Sequence, residues 1–282
     1  MGKADLHTHT RASDGALSAR ELLEKVKQKG LDTVSITDHD TIAGFIEGID
    51  IARGMGIELI PGIEISTVWG KKEIHILAYG FNYKNENLLE LLRNQKRARI
   101  KRMKRIVREL KSQGIDITYD EVWAEAGRGN IGRPHAAYVL VNKGYVSSFA
   151  EAFIRYLSSQ KLENIRTEFA DINTVIKTVK NAGGVLSIAH PGPIFSQDEI
   201  DQLLSLGIDG IECIHPSHNF NVQKAFTELA KSRNLLVTGG SDFHGNGKSD
   251  YDPYFGIVTL GQQHVESIKR MSGRRTNMLN SN

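Results

Sequence analysis

Two histidines one residue apart, His7 and His9, end a short apolar run, and the acidic Asp14 follows closely. Alternate side chains of an extended strand share a face, so both imidazoles would point the same way, the spacing a pair of metal ligands needs. Taken alone, a His-x-His is more readily a satisfied structural pair than a ligand pair. Recurrence gives it weight, because one apolar run after another in this chain leads into His, Asp or Glu. His39 follows residues 33–36, Glu64 follows residues 57–60, and His75 stands in the alternating segment 74–78. His190 follows residues 185–189, and Asp242 and His244 follow residues 235–238. The set is therefore His7, His9, Asp14, His39, Glu64, His75, His190, Asp242 and His244. One ion takes about four protein ligands, so nine imidazole and carboxylate donors suit two or three divalent ions sharing a bridging carboxylate. No thiolate belongs to the set, and the mixture suits manganese, zinc or iron rather than a structural zinc clip.

Positioning these residues requires strands whose ends converge. A short strand is expected over residues 3–6. Ser18-Ala-Arg-Glu21 has the form of a capping box that opens a helix running to about Lys29, with Leu17 and Leu22 spaced as its hydrophobic staple. A β-branched run at 33–36, a helix from about 42 to 53 and another apolar run at 57–60 follow. Such alternation implies parallel strands covered by helices, in an open sheet or a barrel, where chemistry gathers at the carboxyl ends of the strands. From about Asn87 to Leu162 the periodicity is helical, with Ile100, Met103, Val107 and Leu110 on one face and Gly114 as punctuation. This predicts an inserted helical subdomain over 87–164 within a metal-binding barrel formed by 1–86 and 165–282. Pro134 suits the first turn of a helix inside the insertion. Alternation resumes with a helix at about 171–181, then strands at 185–189, 210–214, 235–238 and 256–259, and a polar tail that frays from Ser272.

With 282 residues, 40% of them hydrophobic and 24% charged, the chain can bury a sizeable core. No apolar run approaches the roughly 20 residues that span a bilayer, and Met1-Gly2-Lys3 leads into Asp5 without an apolar leader, so a cytoplasmic protein without a membrane partner is expected. The single cysteine, Cys213, reads as a buried thiol rather than a nucleophile. Net charge is +3, but ten of the Lys and Arg residues fall between Arg93 and Lys111 with one Glu. That stretch is either a solvated helix face or a lid whose positive field gathers an anionic nucleotide or RNA end.

In order along the chain, His7-Thr-His9, Asp38-His39, Gly62-Ile-Glu64, His190-Pro191 and Asp242-Phe-His244 resemble the metal-binding motifs of the PHP (polymerase and histidinol phosphatase) superfamily. The resemblance runs from about residue 3 to 260. It implies a distorted (β/α)7 barrel carrying three divalent metal ions, Mn²⁺ foremost with Zn²⁺ or Fe²⁺ as alternatives, and a phosphoesterase activity. Gly132-Arg-Pro-His135 and His215-Pro-Ser-His218 look closest to the subgroup that contains nucleoside 3′,5′-bisphosphate phosphatases, whose members also trim RNA from its 5′ end. The chain departs from that pattern at Ile214, where an aromatic residue is expected before His215. The resemblance suggests His7, His9, Glu64 and Asp242 around one ion, Glu64, His75 and His190 around a second, and Asp14, His39 and His244 around a third.

The residues then divide by role. Divalent cations activate water and neutralise phosphoryl oxygens, so hydrolysis needs no phosphoenzyme. Arg133 and His135 are expected to grip substrate phosphate, Arg133 through its planar fork, although an exposed Arg in a helix turn is the plain alternative. Asp242 belongs to the catalytic set. His215 and His218 are expected to protonate a leaving oxygen, His218 also orienting a substrate phosphate. Asp38 and Asp40 either orient imidazoles or, for Asp40, cap the next helix. The leading expectation is removal of the 3′-phosphate from a nucleoside 3′,5′-bisphosphate, leaving AMP from the adenosine compound, with exonuclease action on short RNA 5′ ends and no obligate protein partner. Histidinol-phosphate phosphatase is the enzymatic rival. A polymerase-associated accessory or proofreading module is a second class, and a nucleic-acid-binding protein with a degenerate site a third.

Overall fold

Capped helices and short buried strands alternate through the first third of the chain. The computed structural model describes residues 2–158, 160–162, 164–165, 168–192, 194–245 and 249–281. Strand β1 (Lys3–Thr8) leads into α1 (Ala19–Gln28), β2 (Thr33–Ile36), α2 (Ala43–Met55), β3 (Glu58–Trp69) and β4 (Lys72–Tyr79). The α1 capping box forms as the sequence predicts, Ser18 Oγ accepting from Glu21 N while the Glu21 carboxylate accepts from Ser18 N, an arrangement that typically contributes about 1 kcal/mol. Leu17 and Leu22 share one buried cluster.

Between β4 and the next strand lie α3 (Glu86–Ser112), α4 (Tyr119–Ala126), α5 (Arg133–Asn142), α6 (Phe149–Ala152) with a π-helical turn over Phe153–Leu157, and α7 (Ile172–Asn181). The fold then runs β5 (Val185–Ile188), α8 (Gln197–Ser205), β6 (Gly210–Ile214), α9 (Phe220–Ser232), β7 (Leu236–Gly239), β8 (Leu260–Gly261) and α10 (Gln262–Asn280). The strands are ordered 7-6-5-4-3-2-1-8. Past β7 the chain bonds back to β1, Asp242 N donating to His7 O and His9 N to Phe243 O, which nearly closes a barrel. This is the mixed α/β barrel with a helical insertion that the motifs imply.

Several elements differ from the expected pattern. β1 continues through Thr8, which places His7 inside the strand. β3 runs on through Pro61 and Gly62 to Trp69, so Glu64 is an interior strand residue. A side chain at Gly62 would begin 1.9 Å from Ser35 Oγ, so glycine there lets β2 and β3 lie close. β3 and β4 form a hairpin around Gly70, which has φ of +61°, and β4 is antiparallel to both neighbours, so the barrel is not all parallel. The closing strand is Leu260–Gly261, antiparallel to β1, instead of 256–259. The tail from Ser272 is helical, and within it Arg275 binds Asp209 and the Gly184 carbonyl.

Three buried clusters serve the barrel. One lies between the sheet and α3, α7, α8 and α9, another under α1 and α2, and a third gathers Leu6, Leu77, Tyr79, Val185, Leu236 and Ile268. The insertion has a separate apolar cluster that includes Met103, Ile106, Leu110, Val122 and Leu140. α3 joins the two systems: Leu88, Leu91 and Leu92 pack on the barrel, and its later residues pack in the insertion. The basic stretch is therefore a helix packed along one face, with Arg93, Arg97 and Lys101 on its exposed side.

Candidate metal centre

Glu64 projects from the middle of β3 into a ring of imidazoles. Its Oε2 lies 3.2 Å from His7 Nε2, 3.3 Å from His9 Nε2 and 3.3 Å from His39 Nδ1. Its Oε1 lies 2.9 Å from His75 Nδ1 and 3.1 Å from His190 Nε2. Asp242, from the turn after β7, places Oδ1 at 3.4 Å from His7 and 3.2 Å from His9, and Oδ2 at 3.4 Å from His215. Asp14 sits further out, 3.6 Å from His244, 3.7 Å from His39 and 3.9 Å from His9. All nine residues singled out by type and spacing thus converge at one end of the barrel.

The backbone is bent to bring them there. His190 and Asp242 adopt φ of +31° and +53°, and Asp40, next to His39, adopts +53°. A non-glycine residue in this region costs about 1–3 kcal/mol and persists where its surroundings over-determine it. Asp5 does so for Asp242: its buried carboxylate accepts from Ser241 N at 3.0 Å and Ser241 Oγ at 2.6 Å, and from His7 N at 3.2 Å. Burial raises the Asp5 carboxyl to about 6 in spite of those bonds.

The donor set fits divalent cations. His9 Nδ1 and Nε2, Asp14 Oδ1, His39 Nδ1 and His215 Nε2 are buried without a hydrogen-bond partner, which is costly unless something positively charged is shared among them. Donor atoms of His9, Asp14, His39 and His244 lie within 4.8 Å of one another, as do those of His7, His9 and Glu64, of His39, Glu64 and His75, and of His7, His215 and Asp242. Electrostatics point the same way. Burial lowers the basicity of His9, but the Asp242 and Glu64 carboxylates outweigh it and push this imidazole up to about 10. Burial opposes ionisation of Asp14 too, yet the surrounding His39, His244 and His9 hold its carboxyl well below the usual range.

Around the cluster, further carboxylates hold these donors and their loops in place, and one of them, Glu212, the sequence did not single out. Glu212, the one charged residue in β6, accepts from His7 Nδ1 at 2.8 Å and from His190 N at 2.6 Å. A carboxylate inside an otherwise apolar strand was the available signal. Asp38 touches no imidazole. It accepts from Thr10 N at 2.7 Å, Thr10 Oγ1 at 2.6 Å and Ser13 Oγ at 2.7 Å, and so shapes the loop that carries Asp14. Asp40 does not cap α2, whose N-cap is Ile42. It accepts from Ser66 N at 2.8 Å and pairs with Arg99 Nε at 2.6 Å.

The expected substrate and proton-transfer residues fare differently. His215 Nδ1 lies 3.1 Å from Ser217 N and 2.7 Å from Ser217 Oγ, while Nε2 faces Asp242 Oδ2 at 3.4 Å. His218 is a brace instead of an acid: Nδ1 donates to Cys213 O at 3.1 Å and Nε2 accepts from Gly192 N at 3.1 Å, so both nitrogens are committed to backbone. His135 is buried and spends Nδ1 on Gly132 N at 3.0 Å, closing the first turn of α5, which removes that nitrogen from the expected grip on phosphate. Arg133 lies 3.9 Å from Glu73, which Arg102 holds in a two-pronged pair at 2.6 and 2.7 Å, and its guanidinium sits 6.0 Å from the centroid of the Phe153 ring. Burial brings Arg133 down to about 10, still cationic at neutral pH. Although Ile214 is not aromatic, Tyr251 packs edge-on to His215, with ring centroids 5.1 Å apart.

A cleft of about 480 Å³ opens onto the cluster. Asp14, His39 and His244 line it from the metal centre, with Tyr138, Phe149, Phe153 and Tyr251 among the other lining residues. Among the described residues no helix is long and apolar enough to cross a membrane.

Comparison with known proteins agrees with this geometry. The family model for the PHP domain matches residues 5–168. A 5′-3′ exoribonuclease of Haemophilus influenzae is 39% identical over 86% of this chain and 90% of its own length. A 3′,5′-nucleoside bisphosphate phosphatase of Chromobacterium violaceum is 30% identical over 89% of this chain and 90% of its own. A solved structure from Bifidobacterium adolescentis, described as a metal-dependent phosphoesterase, is 35% identical and superposes with a TM-score of 0.85 over 95% of this chain and 96% of that one.

Proposed function

The chain belongs to the PHP family as a metal-dependent phosphoesterase, and from that premise we propose that it hydrolyses nucleotides. Its preferred reaction is removal of the 3′-phosphate of a nucleoside 3′,5′-bisphosphate, leaving AMP from the adenosine compound, and by the same chemistry it shortens RNA from the 5′ end. The observation that carries this reading is the cleft itself, which four aromatic side chains line together with Asp14, His39 and His244. A base stacked on such rings gains about 1–3 kcal/mol and leaves its phosphate at the donor cluster. The relatives named for bisphosphate and RNA hydrolysis support it as well.

Three divalent ions, Mn²⁺ first among them, would be held by His7, His9, Asp14, His39, Glu64, His75, His190, Asp242 and His244. Bound there, they would supply charge neutralisation of the phosphoryl oxygens and a lowered pKa for water. The remaining work falls to the chain. Arg133 presents a fixed cation to a substrate phosphate. His215 turns Nε2 toward Asp242, the position from which it would protonate the leaving oxygen, with Ser217 against its Nδ1. The aromatic walls orient the base and exclude water from one side of the cleft.

The test is phosphate release by Mn²⁺-loaded protein from adenosine 3′,5′-bisphosphate, histidinol phosphate and a short 5′-phosphorylated RNA, with a chelator control. The reading expects chelator-sensitive release from the bisphosphate and shortening of the RNA, both lost in Asp242→Asn. Release from histidinol phosphate alone would overturn it.

A further inference from the structure

Asn130 lies in the insertion, yet its side chain ends against the turn that carries His39. Its Nδ2 donates to His39 O at 3.0 Å and to Asp40 O at 2.9 Å, and its backbone N donates to Ala12 O at 2.9 Å. The residue is 4% exposed. Next to it, Gly129 passes so close to the other ligand-bearing loop that a side chain there would begin 2.5 Å from Arg11 O and 2.7 Å from Ser13 O. One stretch of the insertion therefore touches both the loop bearing Asp14 and the turn bearing His39. α3 reinforces the second attachment, Arg99 pairing with the Asp40 carboxylate and with Ser66 Oγ at 2.8 Å, and Gln95 Nε2 donating to Asp40 Oδ1 at 3.1 Å. The strained φ of Asp40 is thus held by donors that come from the insertion as well as from β3.

We propose that Asn130 is a positioning residue through which the helical insertion fixes one cation position, the one formed by His9, Asp14, His39 and His244. Asn130 touches no ligand side chain. It acts by holding the His39 and Asp40 carbonyls and the Asp14 loop in register, so that His39 and Asp14 meet at the same ion. The other donors, on Glu64 in β3, His75 in β4 and His190 just past β5, come from segments with which Asn130 makes no hydrogen bond, and β3 is held by its ladders to β2 and β4, so they keep their geometry without it. The proposal rests on the assignment of Asp14 and His39 as ligands.

Stepwise Mn²⁺ titration of the chelated full chain, followed by the electron paramagnetic resonance signal of free Mn²⁺, tests it with Asn130→Asp and His39→Ala. Asn130→Asp preserves the shape but turns an acceptor toward two carbonyl oxygens. One binding step should weaken by about tenfold or more, the scale on which outer supports of metal ligands act. The remaining steps, the circular dichroism and the substrate KM at saturating Mn²⁺ should stay as in the wild type, and raising Mn²⁺ should restore kcat. Wild-type affinity at every step in Asn130→Asp, with a step lost in His39→Ala, overturns the positioning role alone. Wild-type binding in His39→Ala overturns the ligand assignment and the proposal with it. Should Asn130→Asp not fold, Asn130→Ser, which is too short to span both carbonyls, is read by the same criteria.

Discussion

Glu212 accepts a hydrogen bond from His7 Nδ1 at 2.8 Å, and both side chains are closed to solvent. The other carboxylate oxygen takes the His190 backbone N–H at 2.6 Å, so one acid steadies two of the imidazole-bearing residues around Glu64. Burial alone would raise the Glu212 carboxyl, but His7, His215 and His190 hold it below the usual range, so it stays ionised and acts as an acceptor at both oxygens. Glu212→Gln would turn one of those acceptors into a donor facing a donor. The variant should keep its fold and lose roughly 10–100-fold in Mn²⁺ affinity by calorimetric titration. Unaltered affinity would mean that His7 is oriented by the barrel without Glu212.

Arg133→Ala separates binding from chemistry. The guanidinium lies 3.9 Å from Glu73, which keeps its two-pronged pair with Arg102 when Arg133 is removed, so little should change in the fold. A charged hydrogen bond to phosphate contributes about 1.5–3 kcal/mol, which corresponds to a KM raised by about ten- to a hundredfold with kcat nearly constant. Steady-state kinetics on adenosine 3′,5′-bisphosphate measures this, and an unchanged KM removes Arg133 from the phosphate site.

Protons and cations should compete for the same nitrogens. With His9 pushed up to about 10 by Asp242 and Glu64, the chelated protein holds a proton there at neutral pH that an incoming ion must displace. Mn²⁺ affinity should therefore rise with pH, and titrations in two buffers of different ionisation enthalpy should register proton release. The sign for stability is opposite. A histidine whose folded pKa lies above its ordinary 6.5 contributes stability that is fully present below pH 6.5 and lost as pH rises toward about 10. Chelated protein should melt at progressively lower temperature across that window and the Mn²⁺-loaded protein should not. Metal binding without proton release would contradict the protonation that the carboxylates impose on His9.

Much of this centre was legible because period and residue type coincide. His7 and His9 share a face through strand alternation, and the other donors stand on or just beyond runs apolar enough to be strands. The roles of Asp38, Asp40, Glu212 and Asn130 were not, because each acts on backbone or on a partner far along the chain. Nothing local marks Asn130 as reaching His39, 91 positions away. His218 misled because residue type suggested chemistry, whereas the backbone groups that occupy both of its nitrogens, and the one that takes Nδ1 of His135, appear only once the turns are formed. β4 was read as a strand, but its antiparallel direction depends on a two-residue hairpin at Gly70-Lys71 that the alternation of helices and strands obscured.

The C-terminal helix shows how one ion pair can decide what a polar sequence does. Residues from Ser272 onward have the composition of a frayed tail, yet Arg275 forks onto Asp209 at 2.8 and 3.0 Å and also reaches the Gly184 carbonyl. Asp209 in turn accepts from Leu186 N at 3.0 Å, so the pair ties α10 to the start of β5. Both partners are largely buried, at 22% and 10% exposure, and a two-pronged arginine pair in that setting outweighs a surface pair. Arg275→Ala should destabilise the protein by about 1–3 kcal/mol in urea denaturation, because it leaves Asp209 short of its countercharge. It should also open residues beyond Ser272 to limited proteolysis while the barrel stays resistant. A loss below about 0.5 kcal/mol with an unaltered cleavage pattern would show that α10 is held by Val265 and Ile268 in the barrel's apolar cluster and that the ion pair adds nothing.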